Sequence, residues 1–215
     1  MSDPLLLPQR LWPLFLRLVF GSESPPLDSA AARDRLIKVA TDEGLLPLLL
    51  ADPHVPPGIA ALRPTMRALG ALMSARYTLQ LDAAKQLAAL VGESMFIKGF
   101  DYRHRLYPSP SLRPSTDLDA FIPRASIPAA TQALHAAGHA QVESKLGRAA
   151  IEYYELAYDI GQVRVELHRS IGHRVRASVD YDELWSRRES FEAGGATFFR
   201  PSAVDAIVIH AITLA

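Results

Sequence analysis

The stretch "FIKGFDYRHRLYPSPSLRPSTDLDAFI", Phe96 to Ile122, decides how the chain is read. An apolar run ends in Lys98-Gly99, and Asp117-Leu118-Asp119 stands inside a second apolar run. Alternate side chains of a strand share a face, so Asp117 and Asp119 point one way while Leu118, Ala120 and Ile122 point into a core. Two carboxylates that close repel, and burial raises the cost. A divalent cation removes the conflict, because hard ions such as Mg2+ take carboxylate oxygens together with substrate phosphates. The other reading is two solvent-facing acids on an edge strand. The pattern itself is cheap: Asp180 and Asp182 repeat it where "YDELWSRRE" predicts a helix, whose N-terminus favours acids.

The neighbourhood adds charge of both signs. "MFIK" predicts a short strand ending at Lys98-Gly99, and "FDYRHRLY" after it can form a short helix. A glycine at such a turn lets backbone N–H groups and the helix dipole face an anion. Lys98 contributes a cation suited to phosphate, and Arg113, Ser115 and Thr116 place further donors beside the carboxylates. Alternatively, Lys98 and Arg113 simply neutralise the two acids. In either reading the opposite charges converge. Downstream, "VRVELH" alternates cleanly, with Val163, Val165 and Leu167 on one face and Arg164, Glu166 and His168 on the other. Glu166 is the natural third acid, able to ligate a metal or accept the proton of an attacking hydroxyl. It is equally readable as a surface glutamate paired with Arg164 or His168. His168 shares the Glu166 face, where it touches substrate, orients Glu166, or is structural.

The rest of the chain bounds the class. At 215 residues, with 49% hydrophobic and 21% charged residues, it has the composition of an ordinary globular protein. Lys plus Arg equals Asp plus Glu at 23 each, so net charge gives no sign of bulk nucleic-acid or membrane-surface binding. Without cysteine, disulfides, thiolate nucleophiles and Cys-ligated zinc are excluded; this fits a reducing cytoplasm. "LLLPQRLWPLFLRLVFG" is too short and too interrupted by Pro and Arg to span a bilayer, and reads as a buried amphipathic helix.

We expect three regions: helical residues 1–92, an α/β (α+β) core over 93–200 with a mixed sheet flanked by helices, and residues 201–215 opening a C-terminal helical region. In the first, "SAAARDRLIKVATDEGLLPLLLA" predicts one or two helices ended by Pro47 and "DPHVPPG", and Leu62 to Val91 follows helical spacing. In the core, Ser126 to Ala137 is helical, "HAQVE" is a strand candidate, and "AIEYYELAYDIGQVRVELHRSI" predicts two strands turning near Gly161. Ser202 with Asp205 predicts a capping box on a helix from Ala203 to Leu214. That helix is apolar on most sides, so a protein partner, an oligomer or further helices of a longer parent chain are expected to cover it.

Taken together, "IKG", "LYPSPSLRP", "DLDAFI" and "VELH", in that order, resemble an uncharacterised nucleotidyltransferase family of the DNA polymerase β-like superfamily. The match runs from about Gly92 to His168, and Asp205 to His210 is similar to the family's later helix. The resemblance implies that Asp117 and Asp119 bind two Mg2+ (or Mn2+), that Glu166 completes the metal site, and that Lys98 and Gly99 contact the triphosphate of an NTP such as ATP. It implies transfer of a nucleoside monophosphate to a hydroxyl of an unknown acceptor, releasing pyrophosphate. The N-terminal helices resemble the family's helical extension. Two departures stand out. The Gly-to-Asp interval is long, and Phe100 occupies a position where the superfamily carries a small residue. Its ring must tilt away from a triphosphate or crowd it. If it crowds, the chain is a nucleotide-binding or interaction module with impaired catalysis. The "KG…RPSTDLD" region also resembles toxin-type nucleotidyltransferases that act on tRNA or protein, so the acceptor is a small molecule, a protein or a tRNA.

Overall fold

The structure, a computed structural model, describes residues 15–17, 19, 29–52, 63–142, 155–171 and 179–214. It divides into two compact units, Met1–Tyr77 with Arg103–Pro114, and Thr78–Tyr102 with Ser115–Ala215.

The first unit is helical. Helix α1 (Ala30–Asp42) starts where Ser29 Oγ accepts from the Ala32 N–H at 3.2 Å, and α2 (Leu46–Ala51) follows. Pro47 does not end this run. The break falls at Gly44, whose φ of 65° few other residues tolerate, and Pro47 sits in the first turn of α2, where its missing N–H is no loss. Leu36, Ala40, Leu46 and Leu49 form a core with Phe15 and Val19. Of the apolar stretch 5–21, residues 15–17 and 19 are described, and they are helical. Helix α3 (Arg63–Val91) runs from this unit into the second. Most of "DPHVPPG" lies outside the described residues.

The second unit is built on a mixed six-stranded sheet. Its elements are β1 (Met95–Phe96), α4 (Lys98–Leu106, shared between the units), β2 (Asp117–Phe121), α5 (Ile127–Ala136), β3 (Glu155–Ile160), β4 (Val163–His168), α6 (Tyr181–Ser186), β5 (Glu189–Ala193), β6 (Ala196–Arg200) and α7 (Ala203–Leu214). The strand order is β3-β4-β2-β1-β6-β5; β2/β4 and β1/β6 run parallel and the other neighbours antiparallel. Strand alternation sorts the side chains into two cores. Leu118, Ala120, Val163, Val165 and Leu167 bury one face, together with Leu87, Phe96, Phe100 and Phe198. Phe121 lies on the other face with Met95, Ile97, Leu184 and Ile209. Each fully buried large side chain contributes roughly 1.5–3 kcal/mol, so the alternation pins the register.

Several expectations shift by a few residues. "YDELWSRRE" is helical only to Ser186, and Glu189 already belongs to a hairpin that turns at Gly194-Gly195 and adds the unforeseen strands β5 and β6. Asp180 is an N-cap there, its Oδ1 accepting from the N–H groups of Asp182 (3.1 Å) and Glu183 (2.9 Å). "HAQVE" yields one isolated bridge, Gln141 to Tyr158, with Glu143 outside the described residues. Among the described residues no helix is long and apolar enough to cross a membrane.

The cap of α7 uses the two residues expected. Ser202 Oγ accepts from the Asp205 N–H at 3.2 Å and donates to Asp205 Oδ2 at 2.6 Å. Arg187, just past α6, grips the same carboxylate through Nη2 to Oδ1 (2.7 Å) and Nε to Oδ2 (3.0 Å). The Arg187 hydrogen bond outweighs burial and holds the Asp205 carboxyl below its usual range. A folded pKa below the unfolded one, about 3.9, means the stabilisation is complete above that value and disappears as pH falls through the folded pKa. Urea unfolding across an acid pH series should therefore show a steeper acid loss for the wild type than for Asp205→Asn. Parallel acid limbs would remove Asp205 from the linkage. Val204, Ile207 and Val208 of α7 are exposed.

Candidate functional site

The parallel pair β2/β4 aligns Asp119 with Glu166, Asp117 with Arg164 and Phe121 with His168. Asp119, Glu166 and His168 thus project from one face of adjacent strands, and one ligand atom of each lies within 4.8 Å of the other two. His168 Nε2 is 2.7 Å from Asp119 Oδ1 and 3.7 Å from Glu166 Oε2. An ionised carboxylate only accepts, so Nε2 carries the proton in the shorter contact. Strand β3 sets Glu155 opposite His168, with Oε2 3.7 Å from Nδ1, too long for a hydrogen bond. Glu166 is half-buried and turns toward Asp119 and His168.

Burial and charge push the two acids in opposite directions. For Asp119, burial favours the neutral form, but the hydrogen bonds and charges of His168 and Lys98 outweigh it and hold the carboxyl below the usual range. Glu166 is raised, first by burial and then by the charges of Glu155 and Asp119, with His168 opposing. The group is short of positive charge.

Lys98 opens α4, its ammonium 2.7 Å from Asp119 Oδ1 and 3.4 Å from His168 Nε2. Gly99 is required for space. A Cβ there would stand 2.6 Å from Ser115 Oγ and 3.2 Å from Ser115 Cβ. Ser115 Oγ in turn faces the Asp117 carbonyl (2.9 Å) and Oδ1 (3.2 Å). Gly99→Ala is expected to cost about 1–3 kcal/mol by overpacking. In a Ser115→Ala background the cost should shrink, because the closest atom has gone; equal costs in a urea-unfolding cycle would contradict the contact. Phe100 turns away, 1% exposed on the opposite sheet face, its ring centroid 5.0 Å from that of Phe96 and 5.7 Å from that of Phe198.

The remaining expected residues fall as follows. Asp117 is half-buried and one alternation step from Asp119, outside the tight three-residue group but close enough to add to the rise of Glu166. Thr116 is exposed beside it. Arg113 belongs to the first unit, its guanidinium 5.9 Å from the Tyr107 ring centroid. Of the predicted hairpin, residues 150–154 lie outside the described residues. Two contributors went unforeseen. Gln80 of α3 is buried and its Nε2 donates to the carbonyls of Ser115 (3.1 Å) and Asp117 (3.0 Å), fixing the entry to β2. Its signal was a lone amide in "TLQLDAA". Glu155 is the other, and only the β3/β4 register brings it to His168.

The donor set suits a divalent cation. Two carboxylates converge with an imidazole at a buried, negatively charged spot, and a hard ion would take the oxygens. Among known proteins, the model of a family described as uncharacterised nucleotidyltransferase matches residues 29–215. No curated protein and no solved structure matches the chain.

Proposed function

Because the chain belongs to the uncharacterised nucleotidyltransferase family, we propose that it moves a nucleoside monophosphate from an NTP to a hydroxyl of an acceptor, releasing pyrophosphate. The observation that carries the reading is the register of Asp119 against Glu166, which brings acids distant in sequence to one spot.

In this reading Asp117, Asp119 and Glu166 hold Mg2+, for which Mn2+ can substitute, and His168 orients the carboxylates around it. Bound there, the ion would neutralise phosphate charge and make the attacking hydroxyl more acidic. Lys98 and the Ser115-Thr116 turn bind the triphosphate, and Gly99 lets that turn approach α4. The acceptor oxygen bonds to the α-phosphorus as the bond to the bridging oxygen breaks, and pyrophosphate leaves with the electron pair. In this reading the hydroxyl proton passes to Glu166, whose carboxylate converges on the same spot as Asp119. Phe100, packed on the far face, gives no ground for a closed nucleotide pocket. The setting this reading takes is the cytoplasm, supported by the lack of cysteine. The balanced charge favours a small-molecule or protein hydroxyl over a tRNA, whose phosphates need a basic surface.

The test supplies α-labelled NTP and Mg2+ with a panel of polyols, proteins and tRNA. Label should move to one acceptor class while pyrophosphate is released. No pyrophosphate from any NTP, with no heat of NTP binding at millimolar concentration, would overturn the reading.

A further inference from the structure

Lys98 has a backbone φ of 49°, and no other non-glycine residue among those described has a positive φ. A long side chain rarely takes the left-handed region, and such a conformation persists where the surroundings over-determine it. Its consequence here is visible. The chain turns from β1 into α4 so that the Lys98 ammonium enters the carboxylate group and sits on Asp119 Oδ1, the same oxygen that His168 takes from the other side. The Asp119 side chain is 5% exposed and that of Lys98 30%, so the ammonium reaches in from the solvent side and has somewhere to go.

Without a cation, Asp119 would be buried beside Glu166, which itself lies in the field of Glu155 and Asp117, an arrangement that is costly unless paired. Lys98 supplies the pairing. A divalent ion held by Asp119, Glu166 and His168 would need the same carboxylate, and two cations a few ångströms apart in a buried site repel strongly. We propose that Lys98 is the resident counter-ion of this site, and that its ammonium gives up Asp119 when a divalent cation loads and turns to the donor's phosphates. Lys98 thereby couples metal loading to nucleotide binding: it weakens the bare ion and strengthens the ion that arrives with its NTP. This rests on the nucleotidyltransferase reading and adds to it an order of events.

The test is calorimetric titration of Mn2+ into the wild type and Lys98→Met, with and without a non-hydrolysable ATP analogue. Lys98→Met should bind Mn2+ alone roughly tenfold tighter, the size of an ordinary coupling between sites, and should bind the Mn2+–analogue complex more weakly than the wild type does. Equal or weaker Mn2+ binding by Lys98→Met, with the wild type still binding, overturns the counter-ion role and leaves the nucleotidyltransferase reading standing. No Mn2+ binding at millimolar concentration by either the wild type or Lys98→Met, with or without the analogue, overturns both. If Lys98→Met does not fold, wild-type protein labelled with 15N-lysine decides the matter. The Lys98 ammonium resonance should shift on addition of Mg2+, and an unmoved resonance contradicts the proposal.

Discussion

Asp119→Asn is expected to lower nucleotidyl transfer by on the order of a thousandfold or more, with the thermal unfolding transition retained. The substitution keeps the volume of a side chain that is 5% exposed, so the packing of β2 against β4 survives. What it removes is the charge on which the site is organised. Lys98 and His168 both donate to Asp119 Oδ1, and an amide oxygen satisfies them less well than a carboxylate does. Glu166 would retain its rise from burial and from Glu155 but lose the part that Asp119 contributes. Labelled-NTP transfer read alongside circular dichroism separates loss of chemistry from loss of fold. Activity within tenfold of the wild type would remove Asp119 from the mechanism.

Phe100→Ala is expected to do the reverse, costing about 3–5 kcal/mol of stability. The ring fills a space among Phe96, Phe191 and Phe198. The small residue that the superfamily carries at this position would therefore leave a cavity in this chain. Phe100→Leu, which keeps most of the volume, should be milder and should leave transfer intact, since the ring lies on the sheet face opposite the acids. Urea unfolding measures the first effect. A loss below about 1 kcal/mol would show that the ring is not a core element.

The contrast between these two residues marks what was readable in the sequence. Period-two alternation alone put Asp117 and Asp119 on one face and Leu118 and Ala120 on the other, and did the same for Glu166 against Val165 and Leu167; the structure keeps both assignments. Alternation says nothing about which strands are neighbours. Glu155 was invisible for that reason, since only the antiparallel register of β3 brings it to His168. Phe100 was ambiguous because its direction depends on where α4 begins. That start is set by the left-handed turn at Lys98, a conformation no propensity assigns to lysine. Gly99 has a second use that the sequence did not show: the positive φ lies one residue earlier, at Lys98, and the glycine lets Ser115 approach. The β5/β6 hairpin was missed because charged residues after "YDELW" extended a helical pattern, although Gly194-Gly195 between alternating residues is a recognised hairpin signal. Ser202 and Asp205 were legible at once, because a helix cap is a local device whose partners are three residues apart.

The central claim is that the carboxylates brought together by β2 and β4 exist to hold a divalent ion against a nucleotide's phosphates. A crystal structure with Mn2+ and a non-hydrolysable ATP analogue tests it most directly through the anomalous signal of the metal. The expected map places manganese in bonding contact with Asp119 and Glu166, the analogue's phosphates beside it, and Lys98 turned off Asp119. Manganese bound elsewhere, or nucleotide bound with Asp119 still paired to Lys98 and no metal between them, would contradict the account.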